Sequence, residues 1–406
     1  MTPVAGALEG LRIIDLTQML AGPFCTMLLA DLGADVIKVE PLDGDAVRRS
    51  GPFTPDDELK AYGGFFQSVN RNKRSIAVDL KSDPGREVVR RLAQGADVVV
   101  ENFRIGVMER LGLSYEALHE INPRLVYACI RGFGDPRTGE SPYARWPAFD
   151  IVAQAAGGLM STTGPGPGQP MKVGPGVGDI VPGMLAALGI LAAVRHAERT
   201  GRGQFVDVAM YDAVLALCER IVYRYSYIGE VAEPEGNSHP FLCPFDVFPA
   251  SDGNVTIAAP FDHIWQELCR AIDRPDLGAD DRLKTAEGRM QHANEIRAAL
   301  HTWTRARTRA EVLRTLGGRV PCGPVNTIED IMHDPHVAAR NMIAMLEQPG
   351  HGGDVAVAAS PIKMTETPGQ VRTRAPLLGE QTEAVLAEAG YGSTETVALL
   401  ESGCVR

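Results

Sequence analysis

What this sequence lacks narrows it first. Its seven cysteines (Cys25, Cys129, Cys218, Cys243, Cys269, Cys322, Cys404) are scattered singly, with no CxxC pair. Neither a zinc knuckle nor a disulfide framework is therefore expected, and no metal site. The thiols read as reduced groups of a cytoplasmic protein. Positive charge is short: 40 Lys and Arg face 51 Asp and Glu, a formal net charge of −11. That argues against a nucleic-acid or anionic-membrane surface as partner. The first ten residues, MTPVAGALEG, have no basic segment followed by an apolar core, so no signal peptide is expected. The apolar run after Pro182 is broken by glycine and meets Arg195, which reads as too short to span a bilayer. The turn after the first strand carries no GxGxxG, which removes the main support for dinucleotide binding and for a dehydrogenase. No internal repeat is present.

What is there is a chain of 406 residues, enough for a sizeable core and two domains. LRIIDL (Leu11 to Leu16) reads as a strand, the following stretch to Gly33 as a helix, and ADVIKVE (Ala34 to Glu40) as the next strand. Strands and helices alternate to about residue 210, an α/β pattern with a parallel sheet. Basic and amide side chains recur near the strand ends: Arg49 after the second strand, NRNKRS (Asn70 to Ser75) and Glu101-Asn102-Phe103. Each is an ordinary solvated turn or helix cap when taken alone. Three together in an acidic protein suit a polyanion such as a nucleotide bearing phosphates. Composition shifts after about residue 225, at the Pro- and aromatic-rich GNSHPFLCPFDVFP. A smaller domain is placed at 225–325, with 1–224 and 326–406 forming the larger one.

The stretch MKVGPGVGDIVPG (Met171 to Gly183) delivers Asp179 to the start of an apolar helix. Two readings stand open. Asp179 is a helix N-cap, with Pro182 in the first turn where its missing N–H is harmless. Or it is a nucleophile at a helix mouth, kept ionised by the helix dipole, with glycines that admit a substrate.

Several stretches together resemble one family. They include LEGLRIIDLTQMLAGPFCTMLLADLGADVIKVE, NRNKRSIAVDLK, NPRLVYACIRGFG, FDIVAQAAGGLM, VGPGVGDIVPGMLAALGILAAVRHAERTGRGQFVDVAMYDAVL, VPCGPVNTIEDIMHDP and PLLGE. In content, order and spacing the chain resembles the class III CoA-transferases, the group of formyl-CoA transferase, carnitine CoA-transferase and α-methylacyl-CoA racemase. The resemblance implies a large Rossmann-like domain built from both chain ends, a smaller α+β central domain, and an interlocked homodimer. It implies a coenzyme A thioester and a small carboxylic acid as substrates, with no tightly bound cofactor. It makes Asp179, after Gly178, the acid that attacks the thioester, giving a mixed anhydride and then an aspartyl-CoA thioester. It places Gln18 and Leu20 near the thioester. It sets Arg49, Asn72, Lys73, Arg74, Asn102, Phe103 and Arg110 along the nucleotide and pantetheine, and Phe149, Asp150 and His239 near the reacting acyl group.

Three departures narrow the activity. Phe149 stands before Asp150 where the racemase branch has histidine, which removes one of the two groups that proton exchange at an α-carbon needs. Leu20 replaces a glutamine of the formyl-CoA branch, and AAPFDH (Ala258 to His263) replaces that branch's glycine repeat. A succinyl-CoA-type donor with a dicarboxylic acceptor such as malate, citramalate, itaconate, mesaconate or glutarate is the expectation. Racemase chemistry and a non-catalytic CoA-binding protein are the alternatives. A dicarboxylate needs a cation for its distal group, and Arg71, Arg224 and His239 are available.

Overall fold

The computed structural model describes residues 6–406. Of the ten residues read as lacking a leader, the first five lie outside the described residues. The chain divides into two compact units. One comprises residues 1–159, 172–230 and 336–406, and the other 160–171 and 231–335.

The first unit is built on six strands: β1 (Arg12–Asp15), β2 (Asp35–Glu40), β3 (Lys73–Ala77), β4 (Val98–Glu101), β5 (Val126–Arg131) and β6 (Phe205–Ala209). All pair in parallel, in the order β3-β2-β1-β4-β5-β6. Their sequences are short Val/Ile runs because both faces of a parallel sheet are covered. Alternation sorts them. Ile13, Val36, Val98 and Val100 pack on one face with Cys25 and Leu29 of the first helix (Ala21–Asp31) and with Ala186 and Ile190. Ile14, Ile37, Val39 and Val99 pack on the other face with Val88, Val89, Leu118, Val385 and Leu386. The last two come from the helix Thr382–Glu388, and Val405 bridges back to Val78, so residues from both chain ends close this unit. The order 3-2-1-4-5-6 reverses between β1 and β4, which opens a crevice at the carboxyl ends of those two strands.

The second unit holds a three-stranded antiparallel sheet of β7 (Phe245–Ala250), β8 (Gly253–Ala258) and β9 (Cys322–Pro324). Helices around it bury Trp265, Leu268, Ile296 and Leu300. Arg289 is fully buried there and donates to the carbonyls of Cys243, Leu283 and Lys284 and to Asp262. A separate hairpin, β10 (Ile343–Glu347) with β11 (Asp354–Ala358), belongs to the first unit.

Two sequence expectations change here. The apolar helix spans Val177–Thr200, so it starts at Val177 and Pro182 is its sixth residue, not part of its first turn. There the proline removes the bond that the Gly178 carbonyl would accept. At 24 residues this helix is long and apolar enough to cross a membrane, contrary to the reading of its run as too short. It packs on the first helix, β5 and β6 as a core helix of the first unit. The second change concerns NRNKRS. β3 begins at Lys73, level with Val36 of β2, and Asp35 is level with Arg12. The run therefore sits at the amino edge of the sheet, opposite the edge that carries Gln18 and Asn102.

Candidate active site

The crevice at the strand reversal is shaped by two turns that hold each other. Asn102, just past β4, donates from Nδ2 to the Gln18 carbonyl (2.7 Å), and its Oδ1 accepts from the Gln18 N–H (2.9 Å). Its side chain thus clamps the turn after β1. That turn is also held from beneath. Asp15 accepts from the Thr17 N–H (2.9 Å) and from Thr26 Oγ1 (2.7 Å), and pairs with Lys73 (3.0 Å). Lys38 donates to the Thr17 carbonyl (2.8 Å) and pairs with Asp45 (3.1 Å). Burial works to raise the Asp15 pKa, but Lys73, Lys38 and the two threonines bring it down to about 2. Within this braced turn Met19 has φ +71°, a left-handed backbone that costs a non-glycine residue about 1–2 kcal/mol.

The long helix delivers Asp179 to the same crevice. Its cap position is Gly176, which has no side chain to offer, and Asp179 lies three residues on. The missing acceptor comes from Asp150, the first residue of the helix Asp150–Ala156, whose Oδ1 accepts from the Gly178 N–H (2.8 Å). Gln154, one turn later and fully buried, donates to both Asp150 oxygens (3.0 and 2.9 Å), while its Oε1 accepts from the Val173 N–H (3.0 Å). A Cβ on Gly178 would lie 2.5 Å from the Asp150 carbonyl oxygen, and one on Gly183 would lie 2.6 Å from that of Ala21. Glycine is thus what seats this helix against its neighbours.

The cap reading of Asp179 is thereby displaced, since Asp150 caps the helix. The expectation that the dipole keeps Asp179 ionised is corrected as well. Burial first, and then the charge of Asp150, raise its pKa to about 7. A helix dipole contributes about 0.3–1 kcal/mol, less than one pH unit in a pKa, so it does not outweigh them. At neutral pH the carboxyl is poised between its two forms.

A cavity of about 210 Å³ opens in front of Asp179. Among the residues expected at the site, Leu20, Asn102, Phe103 and Phe149 line it with Asp179. Gln18 sits just behind as the partner of Asn102. Arg110 is exposed at the end of the short helix Val107–Arg110 that follows the Asn102 turn. Gly178 and Asp150 position the helix.

The remaining expected cations are committed elsewhere. Arg49 is exposed and pairs with Asp43 (3.1 Å). Lys73 is buried and gives its three protons to Asp15, the Pro23 carbonyl (3.0 Å) and Asn70 (2.9 Å). Arg74 pairs with Asp35 (2.6 Å) and Glu388 (2.7 Å). Asn72, at φ +62°, donates to Asp31 and the Gln370 carbonyl and accepts from the N–H groups of Arg372 and Thr373. Strand alternation and ion pairing turn this run into structure. The distal-carboxylate candidates fare likewise. Arg71 is buried in a two-bond pair with Asp31 (3.1 and 2.8 Å), and Arg224 is buried against Glu230. His239 lies in the second unit, where its Nδ1 accepts from the Phe241 N–H (3.1 Å).

Comparison with known proteins settles the family. The model of CoA-transferase family III matches residues 8–382. The chain belongs to that family. The family's members include a succinyl-CoA:mesaconate CoA-transferase of Haloarcula hispanica, 53% identical over 96% of this chain and 98% of that protein. A succinate–glutarate CoA-transferase of Agrobacterium fabrum is 39% identical over 94% of this chain and 95% of its own length. Among solved structures, a CAIB/BAIF family protein from Brucella suis superposes with a TM-score of 0.84 at 35% identity, covering 95% of this chain and all of the other.

For a member of this family, sequence reading passed over four neighbours of Asp179. Arg104 follows the Glu101-Asn102-Phe103 run directly and lines the cavity, as do Arg145 and Trp146 from the loop after β5. Gln154 is the fourth; its spacing of four from Asp150 on a helix was the available signal. Among the described residues no cluster of His, Cys, Asp and Glu could hold a metal ion.

Proposed function

We propose that this protein moves CoA from succinyl-CoA to a small dicarboxylic acid, with Asp179 as the nucleophile. The observation that carries the reading is the Asp179 carboxyl itself. It lines a cavity at the strand reversal, on a helix start fixed by Asp150 and glycine, with a pKa of about 7. A carboxylate pushed up toward neutrality is more basic than one in water, and the cavity would hold the thioester beside it.

The steps balance as follows. An Asp179 oxygen adds to the thioester carbonyl and the C–S bond breaks, leaving a succinyl-aspartyl anhydride and CoA thiolate. The thiolate attacks the Asp179 acyl carbon, succinate leaves, and an aspartyl-CoA thioester remains. The acceptor carboxylate attacks that thioester and releases the thiolate once more. The thiolate then takes the acceptor's acyl group and frees Asp179. Phe103 and Arg110 are assigned to the pantetheine and phosphate path, and Gln18 to the reacting end. The succinyl donor is supported by the names of the relatives at 53% and 39% identity. Phe149 in place of a second proton-transfer group disfavours racemisation.

The working form proposed is a cytoplasmic homodimer, interlocked as the family resemblance implies, with the larger domain at 1–224 and 326–406 and the smaller at 225–325. Exposed apolar side chains support a partner copy: Leu188 on the long helix, and Tyr225, Tyr227 and Ile228 on the helix Glu219–Ile228, are each 65% exposed or more. Such a patch in one unit is a surface that association would cover.

Mass spectrometry of the protein after incubation with succinyl-CoA, beside Asp179→Ala, tests the chemistry. A covalent CoA adduct mapped to Asp179 and lost in the variant supports it. Free CoA binding with no adduct from any acyl-CoA overturns it.

A further inference from the structure

Three arginines line the cavity of Asp179: Arg104, Arg131 and Arg145. Arg131 is spent. It is buried between Glu101 and Asp135, and its Nε donates to the Phe103 carbonyl (3.2 Å). Arg104, from the turn after β4, and Arg145, from the loop between β5 and the helix Asp150–Ala156, are both exposed. Neither makes an ion pair with any described residue. They stand out in a unit where buried arginines such as Arg48, Arg71 and Arg131 face carboxylates.

We propose that Arg104 and Arg145 together grip the distal carboxylate of the substrate acid and so select dicarboxylates; this rests on Asp179 being the nucleophile of the same cavity. The rest of the lining is largely apolar, with Leu20, Phe103, Trp146 and Phe149 among it. A second carboxylate entering such a space must meet a cation or forfeit its hydration. The reacting end is held at Asp179, itself beside the charge of Asp150, so among the described residues the unspent positive charge on the wall is that of these two residues. The guanidinium fork matches a carboxylate with two parallel hydrogen bonds, which a monocarboxylic acid of the same length cannot use. At about 210 Å³ the cavity suits the chain of a small acid. Drug-sized ligands occupy roughly 300–1,000 Å³, and the CoA nucleotide is larger than this space.

The test compares full-length wild type with Arg104→Gln and Arg145→Gln, using succinyl-CoA and butyryl-CoA as donors of equal chain length. Adduct formation at Asp179 is followed by mass spectrometry, and the Kd of free CoA is measured for each protein. Each variant is expected to lose about 10- to 100-fold in kcat/KM on succinyl-CoA relative to butyryl-CoA, through KM, with CoA binding unchanged. Arg145→Lys is expected to recover part of that loss. Equal losses on both donors with weakened CoA binding would reassign the pair to the CoA phosphates and overturn the proposal. So would an unchanged donor preference. Absence of any adduct in wild type would remove the nucleophile reading together with this one, whereas a normal adduct with unaltered preference would remove the arginine assignment alone.

Discussion

The two edges of the six-stranded sheet carry similar side chains and use them differently. At the amino edge, Arg12 and Arg74 share Asp35 and Glu388, and Arg374 pairs with Glu380. Some of these groups border the larger cavity, about 830 Å³, whose wall mixes Asp35, Glu347 and Glu380 with Arg74, Arg372 and Arg374. At the carboxyl edge the cavity is smaller, yet the Asp179 carboxyl there has no described hydrogen-bond partner, and Arg104 and Arg145 have no described counter-charge. A buried charge must be matched within the fold, as Arg131 is at this edge by Glu101 and Asp135, whereas the exposed Arg104 and Arg145 keep their hydration until a ligand arrives. On the proposed function, the carboxyl edge, where Arg131 is matched but Arg104 and Arg145 stay exposed, is where a ligand would complete the pairing.

The largest effect that would break this contrast is on activity. Asp179→Ala is expected to lower CoA transfer by at least about 10³-fold while the fold persists, read by steady-state kinetics beside circular dichroism. The pH dependence sharpens it. The attacking form is the carboxylate, so transfer should rise with pH through about 7 as Asp179 loses its proton. The same raised pKa means that ionising Asp179 opposes folding. Its cost is absent below the ordinary carboxylate range, grows as pH rises from there, and is fully present above about 7. Asp179→Asn should therefore melt higher than wild type at pH 8, with the difference shrinking toward pH 4.

Among the matched charges, Lys73→Met leaves Asp15 buried without its nearest cation and is expected to destabilise by about 3–5 kcal/mol in urea unfolding. Gly178→Ala comes next. Its methyl meets the Asp150 carbonyl at 2.5 Å, and overpacking of this kind costs about 1–3 kcal/mol. Because the shift carries the start of the helix with it, transfer should fall along with melting temperature. Asp150→Asn is milder. It removes the second cause of the raised Asp179 pKa and leaves burial, so the acidic limb of the rate profile should move to lower pH without reaching the ordinary carboxylate range. Smallest is Arg49→Ala, an exposed pair with Asp43, expected within about 0.5 kcal/mol of wild type. A large loss of CoA affinity in that variant would show Arg49 to be a ligand after all.

Local pattern made much of the fold legible. Short Val/Ile runs alternating with helical spacing point to a parallel sheet, because burial of both strand faces demands it. Asp179 stood out because glycine and proline crowd the chain before a single carboxylate. The helix start was misjudged, since its cap comes from Asp150, 28 residues before the Gly178 N–H that it accepts from, and no window around Pro182 contains it.

The sequence by itself determined the α/β class and the family through its spaced motifs, and it singled out Asp179 as the candidate acid. These depend on side-chain types at short range and on their order along the chain. Only the tertiary structure decided which cations are free. Lys73 and Arg104 are both basic residues beside a strand, one consumed by Asp15 and the other facing a cavity. That difference arises from register between strands and from partners up to hundreds of residues away, such as Glu388 for Arg74. Long-range pairing sets desolvation and counter-charge, and those two quantities also lift the Asp179 pKa to about 7.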